Sequence, residues 1–304
     1  MEERVPKKLL FIYNPYSGKG TITRKLADII DIFVKGNYEV TVYPTQKPLE
    51  AIELTRERSS GYDLLVCSGG DGTLDEVVTG MMQAKFRIPI GYIPAGSTND
   101  FAKSMHLPRS MTKAAEVIVQ GEKYACDIGA FEEDTFVYIA AFGLFADVSY
   151  ETSQEVKNVL GQAAYLLEGM KRLSSIESYR LKVETHETKC EDEFIFGMIT
   201  NSHSVGGFKK VTGKNVRLND GLFEVIFVKN PRNPLELNAI LAAILRREVD
   251  TKYMFYVKTD YLMVQSEEGV AWTLDGEYGG TYEEITIRNC QQALEIIVPN
   301  GTKI

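Results

Sequence analysis

The sequence places an acid among glycines. The stretch CSGGDGTLDE, Cys67 to Glu76, holds Asp71 between Gly70 and Gly72. An apolar run precedes this stretch and apolar residues at helical spacing follow it, which indicates a strand, a glycine turn and a helix. Backbone N–H groups at a helix start attract phosphate, whereas a carboxylate repels it. Asp71 therefore either only forms the turn, or it handles a cation or a proton beside a phosphate.

Four short apolar segments could position such a site, because each precedes a polar turn and a helical pattern. The predicted strands are Leu9–Tyr13, Glu39–Tyr43, Leu64–Cys67 and Ile88–Ile93. This alternation is typical of a doubly wound α/β domain with a parallel sheet. Ligands bind such sheets beyond the carboxyl ends of the strands, so we expect the turns to converge there. The four turns are 14–20, 45–48, 69–73 and 94–100.

Two helices of this half are visible as apolar faces with helical spacing. The first face consists of Leu26, Ile29, Ile30 and Phe33. The second consists of Met111, Ala114, Ala115, Ile118 and Val119, and Gly121 is placed as the helix stop.

Each turn alone is explained by ordinary turn chemistry, because Gly, Pro, Asn and Asp are favoured in tight turns. Thr73 and Glu76 also predict a capping box that needs no ligand. Taken together, the turns collect glycines, Lys19 and several hydroxyls at one sheet edge, which favours a polyphosphate site. The hydroxyls belong to Ser17, Thr45, Thr73, Ser97 and Thr98. The spacing matches neither a Walker P-loop nor a Rossmann fingerprint. An acid in such a site favours phosphoryl transfer, with Mg²⁺ or proton transfer at Asp71.

The second half of the chain has a different pattern, which begins after Asp127-Ile128-Gly129. Alternating apolar segments separated by acidic or glycine turns predict a mainly antiparallel β domain. These segments are 136–145, 179–185, 193–200, 222–228, 261–265 and 285–287, with helical inserts at 154–173 and 234–247. We therefore expect domains at 1–128 and 129–304. The apolar tail Leu294–Val298 could belong to either.

Two acid turns of this half could be structural or chemical. Asp220-Gly221 and Asp275-Gly276 each lie between apolar runs, and Asp-Gly is a strong hairpin signal. Glu277 is not needed for such a turn. The preceding Trp272 and Leu274 are expected to provide apolar surroundings that tune Glu277 as a general base.

Composition excludes several classes of function. The chain has 304 residues, of which 44% are hydrophobic and 25% charged, which is typical of a globular protein of two domains. Its 4 cysteines and 3 histidines lack the spacing of zinc sites or disulfide scaffolds. A net charge of -8 argues against a nucleic-acid-binding protein.

The same sequence favours a cytoplasmic protein that contacts a membrane only locally. No segment is long and apolar enough to cross a bilayer, and the charged start is not a secretory signal. The segment Phe208–Arg217 contains basic residues and no acid. It predicts either docking on an anionic membrane or an ordinary solvated loop.

Five motifs, in order along nearly the whole chain, resemble those of the soluble bacterial diacylglycerol kinase family, which is related to sphingosine and ceramide kinases. They are NPYSGK (14–19), GGDGTLDE (69–76), GSTNDF (96–101), NDG (219–221) and LDGE (274–277). The resemblance implies an ATP-binding α/β catalytic domain, a β-sandwich lipid kinase domain and a cleft between them. It also implies a homodimer that acts transiently at the inner face of the membrane, with ATP and Mg²⁺ as cofactors.

The resemblance further implies roles for single residues. Asp71 would work with the catalytic Mg²⁺, and Glu277 would accept the proton of the lipid hydroxyl. Asp220, with the carbonyls of Arg217 and Leu222, would hold a second, structural Mg²⁺. The residues implied to contact ATP are Asn14, Ser17, Gly18, Lys19, Thr45, Gly69, Gly70, Asp71, Gly72, Thr73, Leu74, Asp75 and Ser97.

Two residues depart from the family pattern. Asp75 stands where the family more often has Asn, which adds negative charge near the nucleotide and bears on nucleotide preference. Ser97 stands where many members have Thr, and it keeps the hydroxyl.

The sequence leaves several functions open. The leading hypothesis is transfer of the ATP γ-phosphoryl group to diacylglycerol, which gives phosphatidic acid. Another lipid alcohol, such as a sphingoid base, is an alternative acceptor, because apolar pockets discriminate poorly between similar chains. The GGDGT segment is shared with NAD kinases, so a NAD kinase-like phosphotransferase is a second alternative. A nucleotide-dependent regulator without catalysis is the third.

Overall fold

The computed structural model describes residues 5–97, 99–143, 177–201, 204–205, 208–209, 217–246 and 248–302. The predicted helix at 154–173 and most of the basic segment Phe208–Arg217 lie outside these residues. The chain divides into two compact units, one formed by Met1–Ile128 with Gln291–Ile304 and the other by Gly129–Cys290. Within the described ranges, no helix combines the length and apolar character required to cross a bilayer.

The first unit is an α/β structure built on a parallel sheet. Its strands are β1 (Lys7–Tyr13), β2 (Tyr38–Pro44), β3 (Leu64–Gly69) and β4 (Ile90–Pro94). Its helices are α1 (Thr21–Lys35), α2 (Glu50–Arg58), α3 (Asp71–Met82), α4 (Asp100–Ser104) and α5 (Met111–Gln120), with 3₁₀ turns at Ser17–Gly20 and Ser59–Gly61. β1 lies between β2 and β3, and β4 pairs with β3; all these pairs are parallel.

The core of this unit follows from the apolar pattern of its elements. Parallel strands covered on both faces read as continuous apolar runs, and β3 and β4 are buried throughout. α1 packs against the sheet through Ile29 and Phe33, two residues of the predicted face. The apolar tail also contributes, because Ile296 pairs in parallel with Ile90 and Ile297 lies in the same core.

The second unit is rich in antiparallel β structure. β5 (Glu122–Phe131) leads into it from the first unit, and β15 (Glu277–Val298) leads out of it. The strands between them are β6 (Asp134–Phe136), β7 (Ile139–Gly143), β8 (Tyr179–Glu184), β9 (Lys189–Thr200), β10 (Ser204–Val205), β11 (Phe208–Lys209), β12 (Phe223–Lys229), β13 (Met254–Thr259) and β14 (Tyr261–Leu274). One helix, α6 (Pro234–Arg246), lies between β12 and β13.

Neighbouring strands of this unit run in the order β13, β12, β9, β7, β14 and β15, and each pair is antiparallel. β8 pairs with both β9 and β14. The core is dominated by aromatic rings; the Trp272 ring lies 5.4 Å from that of Phe131 and 4.9 Å from that of Phe142. Alternate residues of β12, Phe223 and Val225, also point into this core.

Several strands are longer than the sequence predicts. β14 extends to Leu274 rather than to Gln265, and β15 begins at Glu277 rather than at Ile285. Their pairing shifts register twice, between Gln265 and Val270 and again after Trp272. These irregularities break the alternation of apolar and polar residues, and so the apolar pattern identifies only part of each strand.

Candidate active site

The first turn and the fourth turn of the parallel sheet touch. Gly18 has a φ of +55°, and a Cβ built there would lie 1.8 Å from the carbonyl oxygen of Ala95. Glycine is therefore required both by the backbone conformation and by the close approach. Asn14 shapes the start of this turn, because its Oδ1 accepts a hydrogen bond from the N–H of Tyr16 at 2.9 Å.

The third turn is bonded to the fourth. The N–H groups of Ala95 and Gly96 both donate to the carbonyl oxygen of Gly69, at 2.7 and 3.2 Å. A Cβ at Gly96 would lie 2.6 Å from the Cα of Gly70, so the two glycines permit this contact. Asn99 stabilises the turn through its Oδ1, which accepts the N–H of Gly96 at 2.9 Å. The turns after β1, β3 and β4 thus form one continuous backbone surface, which we call the cradle.

The other predicted nucleotide contacts lie at or beside the cradle. Ser17 Oγ is 3.7 Å from where a Cβ of Gly70 would stand. Thr45 follows β2, is buried, and donates its N–H to the carbonyl oxygen of Tyr13 at 2.9 Å. Lys19 lies in the 3₁₀ turn that contains Gly18. Ser97 is exposed.

The capping box predicted from Thr73 and Glu76 is wrong. α3 begins at Asp71 with Gly70 as its N-cap, so Thr73 lies inside the helix, where it is buried together with Leu74. Glu76 instead accepts the N–H of Ala51 through its Oε2 at 3.1 Å, at the start of α2. The N-cap residue of α3 is a glycine, which has no side chain to cap the helix. The N-terminal N–H groups of this helix are therefore not capped by their own N-cap residue, which favours an anion there.

Asp71 is the first residue of α3. Its Oδ2 accepts the N–H of Asp100 at 3.1 Å, whereas its Oδ1 is buried and has no hydrogen-bond partner among the described residues. Burial raises the pKa of Asp71 to about 6, and the charge of Asp100 acts in the same direction. The N–H groups of Asp100 and Phe101 and the charge of Lys103 lower it. A buried carboxylate with an unsatisfied oxygen is costly unless a cation or a proton is supplied.

The sequence prediction did not identify two residues around Asp71. Asp100 is buried and accepts a hydrogen bond from Lys103 Nζ at 2.8 Å, so both belong to the electrostatic surroundings of Asp71. The available signal was the position of Asp100 at the end of the fourth turn, with Lys103 three residues further on. Asp75 is half-buried one helical turn further along α3.

The described residues contain no group of three or more His, Cys, Asp or Glu side chains arranged to hold a metal ion. Mg²⁺ commonly binds through one or two carboxylates, with water and substrate phosphate oxygens as its remaining ligands. Asp71 beside the cradle fits that donor set, because one of its oxygens is buried and has no partner in the part of the chain that the structure describes.

In the second unit, the Asp275-Gly276 turn is a hairpin, as predicted. Both residues have positive φ, +50° and +92°, and they connect the paired residues Leu274 and Glu277. The Asp275 carboxylate is buried and accepts three backbone N–H groups, from Val137 at 2.6 Å, Tyr138 at 3.0 Å and Ile139 at 2.9 Å. Asp275 therefore anchors the hairpin to the start of β7.

Glu277 follows this anchored turn and its side chain is exposed. The expectation that Trp272 provides apolar surroundings for Glu277 is wrong, because the Trp272 ring is only 1% exposed and packs among core aromatics. Leu274 is also buried. The carboxylate of Glu277 is accessible to solvent, and it directly follows a turn whose Asp275 is hydrogen-bonded to three backbone N–H groups.

Asp220 lies in the turn that precedes β12. Its Oδ1 accepts the N–H of Leu222 at 3.1 Å, an interaction that shapes the turn. Asp220 and Leu222 are half-buried and Arg217 is exposed. The strand that continues from this turn carries a buried acid, Glu224.

The strand register brings these distant segments to one end of the second unit. Glu224 on β12 is opposite both Lys258 on β13 and Thr200 on β9. Thr200 is in turn opposite Ile139 on β7, whose carbonyl oxygen accepts the N–H of Asp275 at 2.9 Å. The Asp220 turn and the hairpin before Glu277 therefore lie at the same end of the sheet, although about 55 positions separate them in sequence.

Comparison with known proteins identifies the class to which this fold and these turns belong. Residues 8–131 match the family model described as the diacylglycerol kinase catalytic domain. The chain is 34% identical over 299 residues to the "Diacylglycerol kinase" of Staphylococcus carnosus (strain TM300), covering 98% of this chain and 97% of the relative. It is 33% identical over 300 residues to the "Diacylglycerol kinase" of Staphylococcus saprophyticus, with the same coverage of 98% and 97%.

Two crystal structures from Bacillus anthracis str. Sterne share the fold. One, of a diacylglycerol kinase, has a TM-score of 0.74 at 22% identity and covers 96% of this chain and 97% of that chain. The other has a TM-score of 0.81 at 24% identity and covers 97% and 98%. The chain belongs to the diacylglycerol kinase family. It is thus an enzyme of the lipid kinase class.

Proposed function

We propose that this enzyme transfers the γ-phosphoryl group of ATP to the hydroxyl of diacylglycerol in the presence of Mg²⁺, which gives phosphatidic acid. The observation that carries the proposal is the buried Oδ1 of Asp71 beside the cradle, which has no hydrogen-bond partner among the described residues. A carboxylate in that position is unfavourable next to phosphate unless a cation lies between them. The family to which the chain belongs supports the acceptor class.

The cradle is the proposed site for the ATP phosphates. Its glycines allow the backbone to come close to a ligand, and the N-terminus of α3 lacks a side-chain cap, which favours an anion there. Hydroxyls from Ser17, Thr45 and Ser97 would add neutral donors. The full proposed set is Asn14, Ser17, Gly18, Lys19, Thr45, Gly69, Gly70, Asp71, Gly72, Thr73, Leu74, Asp75 and Ser97.

In the proposed reaction, the acceptor hydroxyl oxygen forms a bond to the γ-phosphorus. The bond between this phosphorus and the bridging oxygen breaks and ADP leaves. The hydroxyl proton passes to the carboxylate of Glu277, which is exposed and held by the anchored hairpin. Mg²⁺ near Asp71 would neutralise charge on the phosphate oxygens.

A second Mg²⁺ is proposed at the Asp220 turn, held by the Asp220 carboxylate and the carbonyls of Arg217 and Leu222. This cation would have a structural role, since one carboxylate, carbonyls and waters suit a hard octahedral ion. Asp220 is half-buried and already ordered by its bond to Leu222, which supports a site with little rearrangement.

The functional division of the chain is part of the same proposal. Residues 1–128 would bind ATP, together with the C-terminal tail 291–304 that the structure places in the same unit, and residues 129–290 of the predicted 129–304 would form the β-sandwich lipid kinase domain. We further propose a homodimer that acts transiently at the inner face of the membrane, with the basic segment Phe208–Arg217 as the candidate membrane contact.

The test is incubation of the purified enzyme with γ-labelled ATP, Mg²⁺ and diacylglycerol in mixed micelles. Parallel reactions contain a sphingoid base or NAD. We expect label in phosphatidic acid; label confined to the sphingoid or NAD reaction would instead identify another acceptor. The variants Asp71→Asn and Glu277→Gln detect a contaminating kinase, because contaminating activity would persist unchanged in both.

A further inference from the structure

Glu224 is the most deeply buried acid near the Asp220 turn. It is 1% exposed and lies on the face of β12 opposite to the core residues Phe223 and Val225. Its Oε1 pairs with Lys258 Nζ at 2.7 Å. Its Oε2 is buried and has no hydrogen-bond partner among the described residues. One half of this carboxylate is thus paired and the other half is not.

The neighbouring hydroxyl does not satisfy that oxygen. Thr200 is directly opposite Glu224 on β9, but its hydroxyl proton is donated to the carbonyl oxygen of Tyr138 at 2.8 Å. A hydroxyl has only one proton to donate. The free oxygen of Glu224 therefore needs another partner.

Asp220 lies in the same electrostatic environment, because its charge acts on both Glu224 and Lys258. Two acidic side chains therefore accompany one ammonium group at this turn. The second oxygen of Glu224 is buried without a partner among the described residues, which is costly, and a cation would offset that cost.

We propose that the free Oε2 of Glu224 is a further ligand, direct or through one water, of the divalent cation at the Asp220 turn. The inference rests on the proposed function, because it deepens the second cation site proposed there. Glu224 lies two residues beyond Leu222, whose carbonyl belongs to that site. Carboxylate oxygens are the ligands that Mg²⁺ prefers.

Lys258 then has a defined role. It holds one oxygen of Glu224 and so orients the other, but its positive charge also opposes a cation nearby. The two partners of this ion pair should consequently affect Mg²⁺ binding in opposite directions. Removal of Glu224 should weaken binding, and removal of the charge of Lys258 should strengthen it. A purely structural ion pair has no such opposition.

The experiment measures Mg²⁺ binding without nucleotide, as the Mg²⁺ concentration at the midpoint of the rise in Tm. In Glu224→Gln we expect this midpoint to increase roughly ten- to a hundred-fold, the usual range for a residue supporting a metal site. In Lys258→Met we expect it to decrease. A matched control is Asp192→Asn, because Asp192 on β9 also forms a cross-strand ion pair, with Lys229 at the other end of β12, at 2.9 Å. Its midpoint should equal that of the wild type.

The outcomes separate this inference from the proposed function. If Asp220→Asn removes the Mg²⁺ response while Glu224→Gln and Lys258→Met keep the wild-type midpoint, the cation site stands and the role of Glu224 is refuted. If the wild type shows no Mg²⁺ response, or if Asp220→Asn leaves the Mg²⁺ response unchanged, the cation site and the role of Glu224 are both refuted. If Glu224→Gln fails to fold, the Mg²⁺ midpoint is measured in Glu224→Asp and Lys258→Met instead. Midpoints equal to that of the wild type in both variants would refute the role of Glu224.

Discussion

Asp275 and Glu277 lie two positions apart, yet the structure predicts that their loss affects different properties. The Asp275 carboxylate accepts the N–H of Val137 through Oδ2 and those of Tyr138 and Ile139 through Oδ1. Ile139 is the first residue of β7, and Val137 and Tyr138 directly precede it; Asp275 is 6% exposed. We therefore expect Asp275→Asn to lower the free energy of unfolding of the second unit.

The magnitude follows from counting the donors that lose their acceptor. The amide of Asn can keep its oxygen toward Tyr138 and Ile139, but its NH₂ group then faces the N–H of Val137. One buried N–H is left unsatisfied, which costs roughly 1 to 3 kcal/mol, and the two remaining bonds lose their charge assistance. The expected loss for Asn is about 2 to 4 kcal/mol. In Asp275→Ala all three donors lose their acceptor, and the loss should be about 3 to 6 kcal/mol.

Urea unfolding followed by tryptophan fluorescence measures this loss where it should occur. The chain has 1 tryptophan, Trp272, and it is buried in the core of the second unit, so its emission reports unfolding there. Asp275→Asn should lower the urea midpoint without a change in slope, and Asp275→Ala should lower it further. Glu277→Gln serves as the control and should unfold like the wild type, because its side chain is exposed. A midpoint for Asp275→Asn within error of the wild type would refute the anchoring role.

Three further predictions concern the proposed reaction and the cradle. Glu277→Gln should lower turnover by roughly 10²- to 10⁴-fold while ATP affinity stays unchanged, because the proton acceptor touches the lipid hydroxyl and not the nucleotide; near-normal turnover at saturating lipid would contradict the assignment. Asp71→Asn should lower both turnover and the Mg²⁺ dependence of ATP binding. If the ATP affinity of the variant equals that of the wild type both with and without Mg²⁺, Asp71 is only a turn residue. Gly18→Ala should weaken ATP binding or destabilise the first unit, because the new Cβ would lie 1.8 Å from the Ala95 oxygen at a φ of +55°. Calorimetric ATP titration and thermal unfolding measure the two effects. Wild-type values in both measurements would show that the first and fourth turns can separate.

The parts of the fold that depend on local pattern could be predicted from the sequence. Buried parallel strands read as apolar runs, and the helix 111–120 shows both its apolar face and its terminal glycine. The convergence of the turns follows from the parallel sheet, since all carboxyl ends lie at one edge. The long strands β14 and β15 could be predicted only in part, because bulges interrupt their alternation.

The roles of several side chains could not be predicted, because they depend on partners far away in sequence. Thr73 and Glu76 have the spacing of a capping box, yet α3 begins earlier and Glu76 bonds to α2. Asp275 reads as an ordinary hairpin residue until its three N–H donors, more than 130 positions away, are known. Asp100 and Lys103 become relevant only when the fourth turn is placed beside Asp71.

The sequence by itself determined the class of the first unit, the order of its strands and turns, and the family motifs, because these depend on local spacing and on residue types. Only the tertiary structure decided which acids are buried and which are exposed. Asp71 retains a buried oxygen without a partner in the described residues, Asp275 has its oxygens bonded to backbone, and Glu277 faces solvent. The physical reason is that the ionisation and reactivity of a carboxylate depend on desolvation and on nearby donors and charges, which packing brings together from distant parts of the chain.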